Sequence, residues 1–164
     1  MLPLSVNWVL DHEAALVDPG RVGRRVVVLD AVGHIEAIGL GELLAAGGRE
    51  VTLVTPLATP IALDAETLGV ALPRAVRAGC RWRPSTALAR IEDHAVVLAD
   101  VLAGTTERLA GVDTVVVRTH GLPEDGLYHA LRGRVPDVVR VGDALAVRYA
   151  DRAIWDGHVA ARRL

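Results

Sequence analysis

Residues 25–56 read RVVVLDAVGHIEAIGLGELLAAGGREVTLVTP, and this stretch decides the fold. Four apolar residues in a row, Val26 to Leu29, sit between Arg25 and Asp30 and are mostly β-branched. Such a run predicts a strand covered on both faces. Ile35, Ile38, Leu40, Leu43 and Leu44 then recur at helical spacing until Gly47 and Gly48 stop the pattern. Val51, Leu53 and Val54 form a second short apolar run closed by Pro56. Strand, helix and strand within about thirty residues make a βαβ unit with parallel strands.

Outward from this unit, Asp64 is placed to cap a helix over residues 65–78. Residues 82–109 break into three short apolar segments separated by Glu92-Asp93-His94 and Gly104, the pattern of an antiparallel meander. Residues 113–117 return to a buried strand, residues 128–131 fit a short helix, and residues 138–141 fit a last strand ending in Gly142-Asp143. A terminal helix carries Ala153, Ile154, Val159 and Ala160. The predicted fold is α/β, a Rossmann-like parallel sheet with helices on both faces and an inserted β-meander. The expected organisation is a connector over residues 1–23, a nucleotide-binding-type domain over 24–134, and a closing strand and helix over 135–164.

The chain has 164 residues, of which 51% are hydrophobic, 23% charged and 3% aromatic. Its formal charge is −2, too balanced for counterion-driven binding to nucleic acid. Every basic residue is arginine, a compositional habit that makes arginine counts uninformative. A single cysteine, Cys80, excludes a disulfide framework and any multi-cysteine metal or cluster site within the chain. No secretory leader and no membrane-length apolar run is visible, so the sequence reads as a soluble cytoplasmic protein without a membrane partner.

Two places carry candidate chemistry. A dinucleotide-binding loop follows the first strand with glycines, so that backbone can approach a pyrophosphate at the helix N-terminus. Aligned on Glu42, the three glycine positions fall on Val32, His34 and Ala37, with Gly33 displaced by one. A nucleotide loop and a plain structural βαβ turn therefore both stay open. The second is Gly142-Asp143. There a carboxylate at a strand end could accept hydrogen bonds from a polyol such as a ribityl chain, or could simply cap the following turn. The six histidines share no metal-ligand spacing, and no metal site is expected. Apolar residues at the start (Leu2, Leu4, Val6, Trp8, Val9) and near the end (Ile154, Trp155) are candidate interface residues.

Three blocks together resemble one protein family: VVVLDAVGHIEAIGLGELLAAGGREVTLVTP (26–56), DTVVVRTHGLPEDGLYHAL (113–131) and VRVGDALAVRYADRAIWDGHVAARRL (139–164). They are similar to the C-terminal part of the old-yellow-enzyme-related flavoproteins, the group of 2,4-dienoyl-CoA reductase, trimethylamine dehydrogenase and histamine dehydrogenase. VLDHEAALVDPGRVGRR (9–25) resembles that family's connector. The resemblance implies two nucleotide-binding domains like those of glutathione reductase, following a barrel with flavin mononucleotide and an iron–sulfur cluster. This chain is similar to the second of those domains plus the closing segment of the first. By resemblance, Gly142 and Asp143 fall on the ribityl site of flavin adenine dinucleotide (FAD), and Ala153 and Ile154 on the helix facing the flavin ring. Gly33, His34 and Ala37 fall on the phosphate loop for NAD(P)H.

The implied function is that of a subunit or fragment of a flavin-dependent oxidoreductase. It would complete a dinucleotide site and assist electron transfer to a larger flavoprotein chain with which it shares FAD. The alternative is a docking module that has lost nucleotide binding.

Overall fold

The computed structural model describes residues 7–163. Two compact units divide the chain, Met1–Thr119 and His120–Leu164, so residues 120–134 cluster with the closing segment.

In the first unit the predicted βαβ core is strand β2 (Arg25–Asp30), helix α2 (Ile35–Ala46) and strand β3 (Glu50–Val54). It lies in a five-stranded sheet with β1 (Val9–Asp11), β4 (Arg81–Arg83) and β8 (Thr114–Arg118), in the order β1-β8-β2-β3-β4, every pair parallel. Helices α1 (His12–Val17) and α3 (Ala65–Arg77) complete the helical connections, and Asp64 caps α3 by accepting the Thr67 amide at 2.8 Å. The segment expected to be a connector thus supplies the sheet's edge strand.

Alternation along the strands sorts the core into two sides. Leu10, Val26, Val28, Leu53 and Val116 point towards Ala15, Ile38, Leu44 and Ala75 of the helices. Val9, Val27, Val54, Val115 and Val117 point the other way and meet Val96, Leu98 and the half-buried Leu88, Ile91 and Leu109. These last belong to the expected meander, β5 (Thr86–Glu92), β6 (Ala95–Asp100) and β7 (Thr106–Ala110), a separate antiparallel sheet. The parallel sheet and the meander are both present, but the second face is covered by the meander where helices were also expected. A three-stranded sheet with one apolar face does the same work as a helical layer. Each fully buried valine or leucine stabilises by about 1.5–3 kcal/mol. The meander's outer face is polar, with Glu92 bridging Arg90 (2.6 Å) and Arg108 (2.7 Å).

The interface candidates at the chain start are partly corrected. Val9 is buried in β1, and Trp8 stacks on His94 with ring centroids 5.6 Å apart. Leu2, Leu4 and Val6 lie outside the described residues.

The second unit holds α4 (Gly126–Leu131), a 3-10 turn at Gly142–Ala144 and α5 (Ala150–Ala161). Residues 138–141 were expected to be a strand and form none. A parallel strand needs a neighbour to accept and donate its ladder, and no strand of the second unit is available among the described residues. Val141 nevertheless has extended backbone, φ −139° and ψ 158°. Gly142 is the one buried residue of this unit among those described, while Leu122, Leu127, Val139, Ile154 and Trp155 are all at least 60% exposed.

Candidate functional site

The C-terminal ends of β2 and β8 form the first place to look, because open parallel sheets present their binding crevice there. Register sets Asp30 beside Arg118, and the Ala31 amide donates to the Arg118 carbonyl at 2.9 Å. Asp30 is fully buried. Its Oδ1 accepts the amides of Val32 (3.0 Å) and Gly33 (2.7 Å), and its Oδ2 has no hydrogen-bond partner among the described residues. Burial pushes its carboxyl above the ordinary carboxylate value, against the pull of those two amides and of Arg118.

In the first turn of α2, Glu36 completes the cluster. Its Oε2 lies 2.6 Å from His34 Nδ1 and its Oε1 3.4 Å from Arg118 Nη2. Burial acts to raise its pKa, but its own backbone amide, His34 and Arg118 hold it below the ordinary value. Arg118 also donates to the Thr119 carbonyl. The amides of Val32 and Gly33 are therefore both engaged by the Asp30 carboxylate.

The predicted phosphate-loop residues come together here in unequal roles. Gly33 has φ +76° and is buried; a Cβ on it would lie 2.6 Å from Leu57 Cδ1 and 3.1 Å from the Ile61 amide nitrogen. Its carbonyl accepts the Ala62 amide at 3.0 Å. The close backbone approach that glycine permits is used by the loop after β3. His34 is the N-cap residue of α2, and Ala37 is fully buried beneath the helix. Asp30, Glu36 and Arg118 were missed from sequence. The D-x-x-G spacing of Asp30 and Gly33 marked a side-chain-to-amide turn, whereas nothing local pointed to Arg118, which arrives through strand register.

Gly142, Asp143, Ala153 and Ile154 come together in the second unit. Gly142 has φ +56°, and a Cβ there would lie 3.1 Å from the Ala153 Cβ, so any side chain at this turn would be strained against α5. Its amide donates to Asp156 Oδ2 at 3.3 Å, and Asp156 is ion-paired with Arg148. The Asp143 carbonyl accepts the Glu124 amide at 3.1 Å while the residue itself is exposed. Ile154 is 73% exposed. Beside them, a groove of about 430 Å³ is lined by apolar Val139, Val141 and Trp155 and by charged Asp137, Arg140 and Asp156. A buried glycine turn followed by an exposed carboxylate is compatible with holding the hydroxyls of a flavin's ribityl chain. The loop after β2, with its amides engaged, does not fit a pyrophosphate as folded.

Among the described residues no three His, Cys, Asp or Glu side chains are grouped to hold a metal ion. No helix among them is long and apolar enough to cross a membrane.

No family model matches the chain. It is 25% identical over 186 aligned positions to dimethylamine dehydrogenase from Hyphomicrobium sp. (strain x), covering 98% of this chain and 25% of that protein. The structure of 6-hydroxypseudooxynicotine amine oxidase from Pseudomonas geniculata N1 superposes with a TM-score of 0.86 at 29% identity, over 99% of this chain and 25% of that one. Histamine dehydrogenase from Rhizobium sp. 4-9 shares the fold with a TM-score of 0.83 at 23% identity, over 95% and 26%. The chain spans about a quarter of the length of these relatives.

Proposed function

Taking as premise that this chain is a relative of the C-terminal nucleotide-binding region of the old-yellow-enzyme-related flavoproteins, we propose that it is the closing part of a flavin-dependent oxidoreductase. In this reading residues 135–164 complete an FAD site whose remainder belongs to a larger flavoprotein chain or region, which also carries the catalytic flavin. When bound, the flavin supplies the electron-accepting ring. Asp143 accepts hydrogen bonds from the ribityl hydroxyls, Gly142 keeps the turn tight enough for that approach, and α5, with Ala153 and Ile154, backs the ring. Residues 138–141 then find the neighbouring strand that they lack alone, and Trp155 and Val159 become buried.

The observation that carries this reading is the Gly142 turn, seated on Ala153 with Asp143 left exposed beside a groove of mixed apolar and charged lining. The test is the absorption spectrum and native mass of the untagged protein purified from its own host. A yellow assembly much heavier than 17.4 kDa supports it, and Asp143→Ala should then lower the flavin content without breaking the assembly. A colourless monomer would overturn it.

A second reading is favoured by one observation, the engagement of the Val32 and Gly33 amides by Asp30. The first unit is then architecture that docks and braces the flavoprotein without binding NAD(P)H. A colourless assembly with a partner would support this reading over the first.

A further inference from the structure

We propose that Asp30 is the residue that closes the first unit to dinucleotides, acting as a built-in anion in the β2–α2 loop where a pyrophosphate would otherwise be held. The inference deepens the reading of this unit as architecture and rests on it.

A pyrophosphate held by such a loop needs unengaged backbone amides, local positive potential and backbone that it can touch. Asp30 removes the first, since one carboxylate oxygen takes both the Val32 and the Gly33 amide. The second is weakened because two carboxylates, Asp30 and Glu36, act on the loop, while Arg118 and His34 are both bound to Glu36. A doubly charged pyrophosphate would meet like charge there. Access to the Gly33 backbone is closed by Leu57, Pro60 and Ile61.

A second sign is independent of the turn itself. Asp30 Oδ2 is buried and unpartnered, in a residue with no exposed surface. A purely structural turn needs only one oxygen, and leaving the other without a partner inside the protein is costly. The chain thus keeps a carboxyl group of its own at this loop despite that cost. On this view the absent glycines at positions 32 and 34 are secondary. Restoring them would leave the amides engaged.

The experiment titrates NADH and NADPH, followed by nicotinamide fluorescence, into the full chain and four variants: Asp30→Ala, Asp30→Asn, Val32→Gly/His34→Gly, and the triple variant that adds Asp30→Ala to the glycine pair. Circular dichroism establishes that each is folded, and Asp30→Asn, which keeps the side chain's shape, serves in the triple background if the alanine variant does not fold. The expected result is no binding by the natural chain or the glycine pair, and binding by the triple variant at least about tenfold tighter than by the pair. Binding by the glycine pair alone, or a triple variant no tighter than the pair, overturns the role of Asp30. Binding by the natural chain overturns the architectural reading itself, so the two failures are distinguishable.

Discussion

Replacing Gly33 with alanine should be among the most damaging small substitutions in the chain, and its cost follows from two local terms. The residue sits at φ +76°, where a β-carbon costs about 1–2 kcal/mol. The new methyl would also lie 2.6 Å from Leu57 Cδ1 and 3.1 Å from the Ile61 nitrogen. The side chain can move, but the backbone nitrogen is held by the loop that donates the Ala62 amide to the Gly33 carbonyl. Overpacking of this kind typically adds about 1–3 kcal/mol. Together these predict a loss of about 2–5 kcal/mol, or a fall in Tm of roughly 5–15 °C for a chain of this size. Gly39 is the control. It lies in α2, and a β-carbon added there would meet nothing within 4 Å, so Gly39→Ala should stabilise by about 0.5–1 kcal/mol. Urea unfolding followed by far-ultraviolet circular dichroism measures both. The reasoning fails if Gly33→Ala stays within about 1 kcal/mol of the parent, or if Gly39→Ala loses as much as Gly33→Ala.

Three further outcomes are expected. Burial pushes the Cys80 thiol from its ordinary 9.0 up to about 11; a disulfide reagent at pH 8 should react with it roughly a hundredfold more slowly than in urea. Because the folded-state value is the higher one, the associated stability is present below pH 9.0 and is lost as pH rises towards about 11. That loss amounts to roughly 3 kcal/mol, and Cys80→Ala should abolish this part of the alkaline slope in unfolding titrations. Leu53→Ala, at a position with no exposed surface between the sheet and the helices, should cost about 3–5 kcal/mol in the same denaturation assay. Trp155→Ala should change the stability of the free chain by less than about 0.5 kcal/mol, since the side chain is 60% exposed, yet reduce recovery of the larger assembly in native mass measurements.

Local patterns made the centre of the first unit readable. The unbroken apolar run at Val26 to Leu29 and the helical spacing from Ile35 to Leu44 report burial on both sides of one element and against one neighbour. Both are properties of a few adjacent residues. The meander was legible for the same reason, with Glu92-Asp93-His94 and Gly104 punctuating short apolar runs. β1 was not, because Val9–Asp11 is three residues long and is stabilised by β8, more than a hundred residues away. Residues 138–141 have a strand-like composition, but no strand of the second unit is available among the described residues to pair with them. At the loop after β2, sequence identified Gly33 and His34 as positions of interest. It could not show that Asp30 and Arg118 meet there, since strand register alone brings them side by side.

The near-absence of a core among the described residues 120–163 has a practical consequence. Hydrophobic side chains such as Leu122, Leu127, Ile154 and Trp155 stand in solvent on short helices and irregular segments, which are the sites proteases cut first. The lifetime of this segment under mild digestion is therefore a gauge of company: rapid trimming marks a solitary chain, and survival marks one whose tail has been covered. Under the proposed function, durability would report the state of assembly, with no cofactor or substrate needed to read it.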